Sequence, residues 1–433
     1  MKSNIKDKLQ KIDKDHYTLL IDIGKVSKEE GLKSYLVGGM VRDLLLGFDN
    51  LDIDIVVENS AKLLAEKLVK KFPNCELSAK HDRFHTAKVI FNVNGEKIPI
   101  DLASSREEIY EHPAALPKVS VSDLKRDLYR RDFTINALAV SILPEDFGEI
   151  VDLFDGLLDL KEKKIRILHE LSFIDDPTRI IRAGRFACKL GFEIEENTKR
   201  LLKEAIDSRQ FDNLIEKIRG DRVKIEIRYL FNLPDIEHAV RTFFNLGIYR
   251  MISIDLESRR DVAYGGDVAY GGDVAYGGDV ACGGDVACNV STGWLIYFAL
   301  IIKDLSSDRQ EKIMKNLQLT ADEIKIIKDG FNALNKLKEQ QSVDSVIIYH
   351  ELRNLSAESI CIVKMLYGIN NFIDEYIEKT SKIKLEITGQ DLIHMGVKEG
   401  KKIGEILEQI LEKKIKNASM NKNDELAEAR KLI

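Results

Sequence analysis

The sequence predicts an α+β protein, in which a mixed helix-and-sheet part is followed by an all-helical remainder. Helix and strand patterns alternate over the first third of the 433 residues, and strand patterns largely end after Leu153. With 44% hydrophobic and 32% charged residues, the chain can bury a sizeable core beneath a well-solvated surface.

The N-terminal part begins with helical spacing over Lys6–Lys28. A short apolar strand, Ser34–Val37, leads into Gly38-Gly39, and a helix starts over Val41–Leu46. Leu51–Val57 (LDIDIVV) alternates carboxylate and aliphatic residues, which is typical of a strand with one wet face.

A helix, a hairpin and a strand complete this part. Ser60–Phe72 is amphipathic, and Ala137–Ile142 is a short apolar strand. Thr86–Val93 and Lys97–Ala103 flank Asn94-Gly95, a residue pair that favours a tight hairpin turn.

The remainder has helical spacing over Pro177–Lys189, Leu214–Phe231 and Glu237–Leu246, and it is helical again from Trp294 onward. Gly191 suits the position just after the first of these helices. The sequence therefore predicts an all-helical remainder.

A hexad repeat runs from Asp261 to Cys288: DVAYGG three times, then DVACGG, then DVAC. A small β-solenoid and calcium binding by the repeated aspartates are two interpretations. Paired glycines every six residues favour a third, a flexible insert between helices, and we adopt it.

Charge and cysteine content restrict the class of protein. The net charge of −6 argues against avid non-specific nucleic-acid binding, which needs clustered Lys and Arg. It does not exclude a groove that is locally basic. The five cysteines include no CxxC pair and favour a reduced compartment. Neither a signal peptide nor a membrane-spanning run is evident, so we expect a cytoplasmic protein.

Asp52 and Asp54 are the first candidates for catalysis, because residues two apart on a strand point to the same side. A solvated strand face is the ordinary explanation. Upstream, however, YLVGGMVRD forms a glycine turn and helix start whose N–H groups favour phosphate, with Arg42 beside them. A phosphate cradle followed by paired carboxylates is what nucleotidyl transfer by two Mg²⁺ ions requires. Asp101, at the end of a predicted strand, is either a third carboxylate or a loop cap.

The segment RRDFTINALAV is the second candidate. Arg131 is suited to contact a triphosphate, and Asp132 and Asn136 to bond ribose hydroxyls or hold the site together. An ordinary helix cap is the alternative for this spacing.

The third candidate is DDPTRIIRAGRF, where helical spacing places Asp176, Arg179, Arg182 and Arg185 in a stripe. The alternatives are a surface ion-pair ladder and a nucleotide seat. A carboxylate that accepts from a base amino group, beside a guanidinium that donates to a ring nitrogen, fits cytosine and adenine and mismatches uracil and guanine. Asp176 and Arg179 could therefore select C and A without a template.

Together these segments resemble the class II tRNA nucleotidyltransferase (CCA-adding enzyme) and bacterial poly(A) polymerase family, which belongs to the polymerase-beta-like nucleotidyltransferases. GGMVRD with LDID is similar to its catalytic motif, RRDFTIN to its ribose motif and VDLFDGLLDL to its hinge. DDPTRIIRAGRF is similar to its base-selecting motif and ITGQDLI…KIGEIL to its C-terminal element. The resemblance spans nearly the whole chain apart from the hexad repeat.

The resemblance implies a polymerase-beta-like head over residues 1–155 and a helical neck and RNA-binding body over 156–255. The hexad insert would occupy 256–290, and the helical body and tail 291–433. Two departures are evident: the base-selecting motif starts Asp175-Asp176 where the family usually has Glu-Asp, and the insert lies within the body.

The resemblance also implies a role for each site residue. Asp52 and Asp54 would bind Mg²⁺; Gly38, Gly39, Arg42, Arg131, Arg182 and Arg185 would contact the nucleotide. Asp132 and Asn136 would support the ribose, and Asp176 and Arg179 would select the base.

The implied activity is addition of CMP, AMP or both from CTP and ATP to the 3′ end of tRNA, whose acceptor arm would be the partner. Family members divide into CCA-adding, CC-adding, A-adding and poly(A)-making enzymes, and a mobile loop between the first two motifs influences the product. Tyr110–Ser120 supplies such a loop here. A poly(A) polymerase acting on general RNA and a catalytically idle RNA-binding protein are the alternatives.

Overall fold

The computed structural model describes residues 4–81, 84–112, 114–115, 117–258, 280–281, 287–288, 293–368 and 371–433. The chain divides into two compact units, Met1–Asp212 and Asn213–Ile433. The predicted α+β class is confirmed, since the first unit contains the large sheet and the second is built mainly of helices. The finer predicted boundaries at residues 155, 255 and 290 stay predictions.

The strands of the first unit are β1 (Ser34–Val37), β2 (Ile53–Val57), β3 (Cys75–His81), β4 (Thr86–Val93), β5 (Glu96–Ser104), β6 (Arg106–Ile109), β7 (Lys118–Val121), β8 (Leu138–Ser141), β9 (Ile150–Asp152), β10 (Lys164–Ile165) and β11 (Glu193–Ile194). Seven of them form one sheet in the order β3-β4-β5-β2-β1-β8-β9. Within it β2 and β5 run parallel and the other neighbours antiparallel. β6 and β7 form a separate antiparallel hairpin.

The helices of the first unit are α1 (Lys6–Leu9), α2 (Lys14–Glu29), α3 (Gly39–Leu46), α4 (Ala61–Lys71), α5 (Leu124–Tyr129), α6 (Gly156–Glu162), α7 (Ser172–Asp175), α8 (Thr178–Leu190) and α9 (Glu196–Asp207). The single helix predicted over Lys6–Lys28 is wrong. The chain breaks before Asp13, whose carboxylate caps α2 by accepting the N–H groups of Asp15 and His16.

The predicted β4–β5 hairpin is confirmed. Asn94 and Gly95 both have positive φ, 53° and 88°, as a two-residue turn with right-handed strand twist requires. The predicted end of α8 is also confirmed, because Gly191 has a φ of 63° directly after Leu190.

The second unit comprises α10 (Gly220–Phe231), α11 (Ile236–Asn245), α12 (Tyr249–Ile252), α13 (Trp294–Ile302), α14 (Ser307–Asn316), α15 (Ala321–Glu339), α16 (Ser345–Leu352), α17 (Ala357–Tyr367), α18 (Asn371–Glu378), α19 (Gly389–His394), α20 (Lys401–Lys416) and α21 (Lys422–Leu432), with the short strands β12 (Val280–Ala281) and β13 (Ala287–Cys288). The helix predicted over Leu214–Phe231 is split, since a 3₁₀ turn at Leu214–Glu216 precedes α10. Apart from residues 256–258, β12 and β13, the hexad repeat and the insert predicted over residues 256–290 lie outside the described residues.

Each unit has a core of its own. In the first, Val37 and Val56 of the sheet pack against Leu124 and Leu128 of α5. In the second, one cluster includes Leu337 of α15, and further clusters bury other helices. Among the described helices, none is both long enough and apolar enough to cross a bilayer.

The cysteines differ in state. Cys75 and Cys188 are free thiols, whereas Cys361 is disulfide-bonded. The expectation of reduced cysteines is therefore wrong for Cys361.

Candidate active site

The glycine turn between β1 and α3 lies at the centre of the candidate site. Gly38 has φ 76° and ψ −142°, a conformation that is essentially restricted to glycine. A Cβ atom at this position would lie 3.5 Å from Oδ2 of Asp54 and 3.5 Å from Nη1 of Arg131. The strand, turn and helix predicted from YLVGGMVRD are therefore present, and two predicted site residues lie beside the turn.

The two candidate metal-binding aspartates are placed differently from the prediction. Asp54 is the second residue of β2, whereas Asp52 precedes the strand and is exposed. The N–H group of Asp52 donates to Oδ1 of Asn50 at 2.9 Å, and this hydrogen bond stabilises a turn just before β2. β2 begins at Ile53, one residue after Asp52, and the charge of Asp52 acts on Asp54. That both side chains leave one strand face stays a prediction.

Asp54 lies in a negatively charged environment. Burial, together with the charge of Asp52, raises the pKa of Asp54 to about 6, although Arg131 opposes the shift. Within the described chain, neither Asp52 nor Asp54 has a cationic side chain at ion-pair distance. A half-buried carboxylate with raised pKa beside a second carboxylate fits a divalent cation, whose charge would offset the repulsion.

Asp101 lies next to Asp54 in the sheet. The parallel register of β2 and β5 pairs Asp54 with Asp101, and Lys88 of β4 pairs with Asp101 from the other side. The Lys88 Nζ atom lies 2.9 Å from Oδ2 of Asp101, and this hydrogen bond raises the pKa of Lys88. β5 continues to Ser104, so the predicted strand end and loop cap at Asp101 are wrong. No trio of His, Cys, Asp or Glu able to hold a metal occurs among the described residues.

A pocket of about 330 Å³ opens beside these carboxylates. Its charged lining residues are Asp54, Asp101, Arg106, Arg130 and Arg131. Arg131 was predicted from the sequence as a site residue, whereas Arg106 and Arg130 were not. Two features of the sequence could have indicated these arginines. Arg106 begins a strand directly after β5, and Arg130 directly precedes Arg131.

Arg42 is buried and belongs to a hydrogen-bonded network. Its guanidinium donates to Oδ1 of Asp43 at 2.7 Å and to Oδ1 of Asn136 at 2.7 Å. Asn136 donates to Asp132 at 2.9 Å, and Arg182 donates to the second oxygen of Asp132 at 2.8 Å. The three candidate segments thus meet, and the arrangement favours the interpretation that Asp132 and Asn136 hold the site together.

Three arginines of the candidate site lie against the ring of Phe186. The guanidinium carbons of Arg42, Arg182 and Arg185 lie 4.9, 5.5 and 4.3 Å from the centre of its ring. Such cation–π contacts orient guanidinium groups without neutralising them. The predicted arginine stripe on α8 is therefore not only a surface ion-pair ladder, because Arg182 and Arg185 lie against Phe186 and Arg182 also donates to Asp132.

Asp176 and Arg179 are held by different neighbours. Asp176 precedes α8, and its Oδ1 accepts from the N–H of Thr178 at 3.1 Å and from its hydroxyl at 2.6 Å. The predicted helical position of Asp176 is therefore wrong. Arg179 is buried and donates to Oγ of Ser172 at 2.7 Å and to the carbonyl oxygen of Arg130 at 2.6 Å.

The predicted loop Tyr110–Ser120 is partly a hairpin, because β7 begins at Lys118 and pairs with β6. Glu108 of β6 links this hairpin to the pocket. Its Oε1 accepts from Arg130 at 2.8 Å, and its Oε2 accepts from the Tyr110 hydroxyl at 2.8 Å.

The fold and this site define a nucleotidyltransferase head joined to a helical unit, and comparison with known families agrees. Residues 34–166 match the poly A polymerase head domain, and residues 290–429 match tRNA nucleotidyltransferase domain 2. A solved structure of a CCA-adding enzyme in apo form II shares 32% identity at a TM-score of 0.78, covering 100% of this chain and 99% of that one. The chain therefore belongs to the family of tRNA nucleotidyltransferases that includes the CCA-adding enzymes.

Two further relatives are informative. The structure of the Thermotoga maritima CCA-adding enzyme complexed with tRNA_CCA shares 30% identity at a TM-score of 0.77, covering 99% of this chain and 98% of that one. An A-adding tRNA nucleotidyltransferase of Geobacter sulfurreducens is 33% identical over 425 residues, which are 94% of this chain and 46% of the relative. The chain spans about half the length of this relative and of a similar one from Aquifex aeolicus, at 46% and 44%.

Proposed function

We propose that this protein adds CMP, AMP or both to the 3′ end of tRNA without a template, using CTP and ATP as substrates. The observation that carries the proposal is the meeting of a carboxylate, Asp54, and a guanidinium, Arg131, at the Gly38 turn. We assign the first to metal binding and the second to phosphate binding. Solved structures of related CCA-adding enzymes contain CTP and ATP, which supports these substrates. We also infer a cytoplasmic location, because the proposed substrate is tRNA.

Asp52 and Asp54 would hold Mg²⁺, and Asp101 is a further candidate ligand. Bound there, the metal would lower the pKa of the attacking 3′-hydroxyl and stabilise the leaving pyrophosphate. Gly38 lets the backbone approach the phosphates closely, and Arg131 supplies positive charge to them. Gly39 begins α3, so its N–H group lies at a helix start that favours phosphate.

The buried Arg42, with Asp132 and Asn136, would support the ribose side of the nucleotide, and Arg182 and Arg185 would act beside Phe186. We assign these residues to nucleotide binding, with Arg42 acting mainly by fixing Asn136.

Base choice would rest on Asp176 and Arg179. Ser172 and the Arg130 carbonyl hold the Arg179 guanidinium and use only part of its N–H groups. The remaining N–H groups could donate to N3 of cytosine or N1 of adenine, while Asp176 accepts from the base amino group. Uracil and guanine present the opposite polarity and would leave buried groups unpaired.

The test is incorporation of each of the four labelled nucleoside triphosphates into tRNA lacking its terminal CCA, with Mg²⁺ and with EDTA. We expect incorporation from CTP, ATP or both, dependence on Mg²⁺, and none from UTP or GTP. The absence of any incorporation would refute the proposal. Long A tails on unstructured RNA, without preference for tRNA, would instead establish a poly(A) polymerase.

A further inference from the structure

Asp127, in the last turn of α5, is a carboxylate to which no role has been assigned so far. Its side chain has no exposed surface, and both of its oxygens accept hydrogen bonds from arginines. Oδ1 accepts from Nε and Nη2 of Arg130 at 3.0 and 2.8 Å, and Oδ2 accepts from Nη2 of Arg131 at 3.0 Å. The spacing of three and four residues is that of side chains meeting on one helix face.

Both arginines line the pocket that contains Asp54. Arg131 reaches the Gly38 turn with Nη1 while Asp127 holds its Nη2. The buried carboxylate of Asp127 therefore orients the Arg131 guanidinium, with Nη2 bound to Asp127 and Nη1 directed to the Gly38 turn. Such an orientation is expected for a preorganised anion contact.

The charges around Asp127 do not balance. Burial alone would raise the pKa of Asp127, but the guanidinium groups of Arg131 and Arg130 lower it below its ordinary value, so the carboxylate stays ionised. Arg106, which also lines the pocket, has a lowered pKa because of burial and the nearby Arg130. The guanidinium groups of Arg106, Arg130 and Arg131 thus outnumber the carboxylates of Asp127 and Glu108 that contact them, and they offer positive charge to an anion in the pocket, which Asp54 and Asp101 also line.

We propose that Asp127 is a positioning residue of the nucleotide site, which holds Arg131, with Arg130 beside it, against the phosphate groups of the incoming nucleoside triphosphate. Asp127 does not itself touch the nucleotide. The inference rests on the proposed function and deepens it by naming what orients its phosphate ligand.

The proposal must be separated from a purely structural role, because Oδ1 of Asp127 also accepts the N–H of Arg106 at 3.3 Å and so ties β6 to α5. Asp127→Asn is the informative variant. Its amide oxygen can still accept from Arg130 and from the Arg106 backbone, whereas its NH₂ group cannot accept from Arg131.

Asp123→Ala is the matched control. Asp123 caps the same helix by accepting the N–H of Arg126 at 2.8 Å, and its removal weakens α5 without touching the arginine contacts. Thermal unfolding of both variants shows that each is folded before the kinetics are compared.

The experiment measures incorporation at varied CTP or ATP with saturating tRNA for wild type, Asp127→Asn, Arg131→Ala, the double variant and Asp123→Ala. Binding of a fluorescent ATP analogue (mant-ATP) with Mg²⁺ provides a readout that does not need transfer. For Asp127→Asn we expect about a tenfold rise in nucleotide KM, a smaller change in kcat and a matching loss of mant-ATP affinity. The double variant should be no worse than Arg131→Ala, because Asp127 acts through that residue.

A folded Asp127→Asn protein with unchanged nucleotide KM and mant-ATP affinity would overturn the inference, and so would additive effects in the double variant. Loss of affinity in Asp123→Ala equal to that in Asp127→Asn would also overturn it, by showing that helix integrity is the cause. A wild type that binds mant-ATP but incorporates nothing would refute the proposed function, while the binding data would still decide the role of Asp127.

Discussion

Asp54 is the residue whose environment differs most from that of an ordinary surface aspartate. The surrounding protein raises its pKa to about 6 from 3.8, so its ionised form is disfavoured in the absence of metal. Such a carboxylate destabilises the metal-free fold and gains the most when a cation binds. The raised pKa fits the metal-binding role that we propose for Asp54.

Asp54→Asn should therefore stabilise the metal-free protein at neutral pH. The destabilising charge is absent below pH 3.8, appears as the pH rises from about 4 to 6, and is complete above 6. We expect the free energy of unfolding in urea with EDTA to rise by on the order of 1–3 kcal/mol at pH 7.5, with no gain near pH 4. The same variant should lose more than about 100-fold in incorporation. Equal or lower stability at pH 7.5 would contradict this electrostatic explanation.

Ser172 should matter for base choice although it touches no base. Ser172→Ala removes the hydroxyl that accepts from Arg179 at 2.7 Å, so the guanidinium loses one of its three described acceptors and keeps the carbonyl oxygens of Ser172 and Arg130. We expect the kcat/KM ratio of the preferred nucleotide to UTP or GTP to fall by about tenfold, since one hydrogen bond to a charged group is worth about 1.5–3 kcal/mol.

Ser27→Ala is the matched control for Ser172→Ala. Ser27 is another fully buried serine, and its hydroxyl accepts from Ser34 at 2.8 Å, away from the pocket. The control should lose stability and keep its nucleotide ratio. An unchanged ratio in Ser172→Ala would mean that Ser172 does not position Arg179 for base selection.

At the scale of elements, the site depends on how β1, β2 and β5 end and begin. Asp54 and Asp101 lie side by side in the sheet because β2 and β5 are parallel neighbours, and Gly38 follows the end of β1 beside Asp54. A shift of one residue in β2 would turn Asp54 to the opposite face of the sheet. The chemistry thus depends on strand register as much as on residue identity.

Gly38→Ala should damage both the fold and nucleotide binding. The alanine would have to adopt φ 76° and ψ −142°, at a cost of about 1–3 kcal/mol, and its Cβ would lie against Asp54 and Arg131. We expect a lower melting temperature and at least roughly tenfold weaker mant-ATP binding.

Gly47→Ala provides the comparison for the Gly38 variant, because Gly47 ends α3 with φ 83° and has no atom within 4 Å of an added Cβ. It should lose stability by backbone strain alone and keep its nucleotide affinity. Equal affinity losses in the two glycine variants would contradict a specific role for the Gly38 turn.

Sequence patterns predicted the elements well and the contacts less well. Ser34–Val37, Thr86–Val93 and the turn at Asn94-Gly95 follow from local rules, and the structure confirms them. From residue spacing, Asp52 was predicted to lie on β2 and Asp101 to end a strand. In the structure β2 begins at Ile53 and β5 continues to Ser104. Alternation of residue types cannot show where a strand begins or how far its pairing extends.

The missed residues have two physical reasons. Arg106 and Ser172 matter through contacts with Asp127 and Arg179 that only the folded chain shows, and no single-sequence motif marks such contacts. Asp127 contacts near neighbours in the chain, and its acceptor role depends on burial, which the sequence does not show. The helical spacing from Asp127 to Arg130 and Arg131 was the available signal.

At the scale of the whole molecule, all the predicted site residues lie in the first compact unit, residues 1–212. The second unit, residues 213–433, is largely helical and has cores of its own. This division fits a head that binds the nucleotide and a helical part that binds RNA, which stays part of the proposal.

A fragment of residues 1–212 should fold and bind mant-ATP with Mg²⁺ within about tenfold of the full chain, because it contains both its core and the pocket. Its KM for tRNA should rise by more than about tenfold. Cooperative thermal unfolding, mant-ATP titration and incorporation at varied tRNA check this. A fragment with the tRNA KM of the full chain would contradict the assignment of RNA binding to the helical unit.

The product ladder on three tRNA transcripts, ending before CCA, after C and after CC, tests tRNA 3′-end synthesis most directly. We predict that at least one transcript is extended by the C or A residues needed to complete CCA, and that Asp54→Asn reduces this extension by more than about 100-fold. Addition of all three nucleotides to the shortest transcript would identify a complete CCA-adding activity. Extension of only the CC-ended transcript would identify an A-adding one, and extension that stops after CC a CC-adding one. Failure to extend any of the three with CTP and ATP present would show that the protein does not synthesise the tRNA 3′ end.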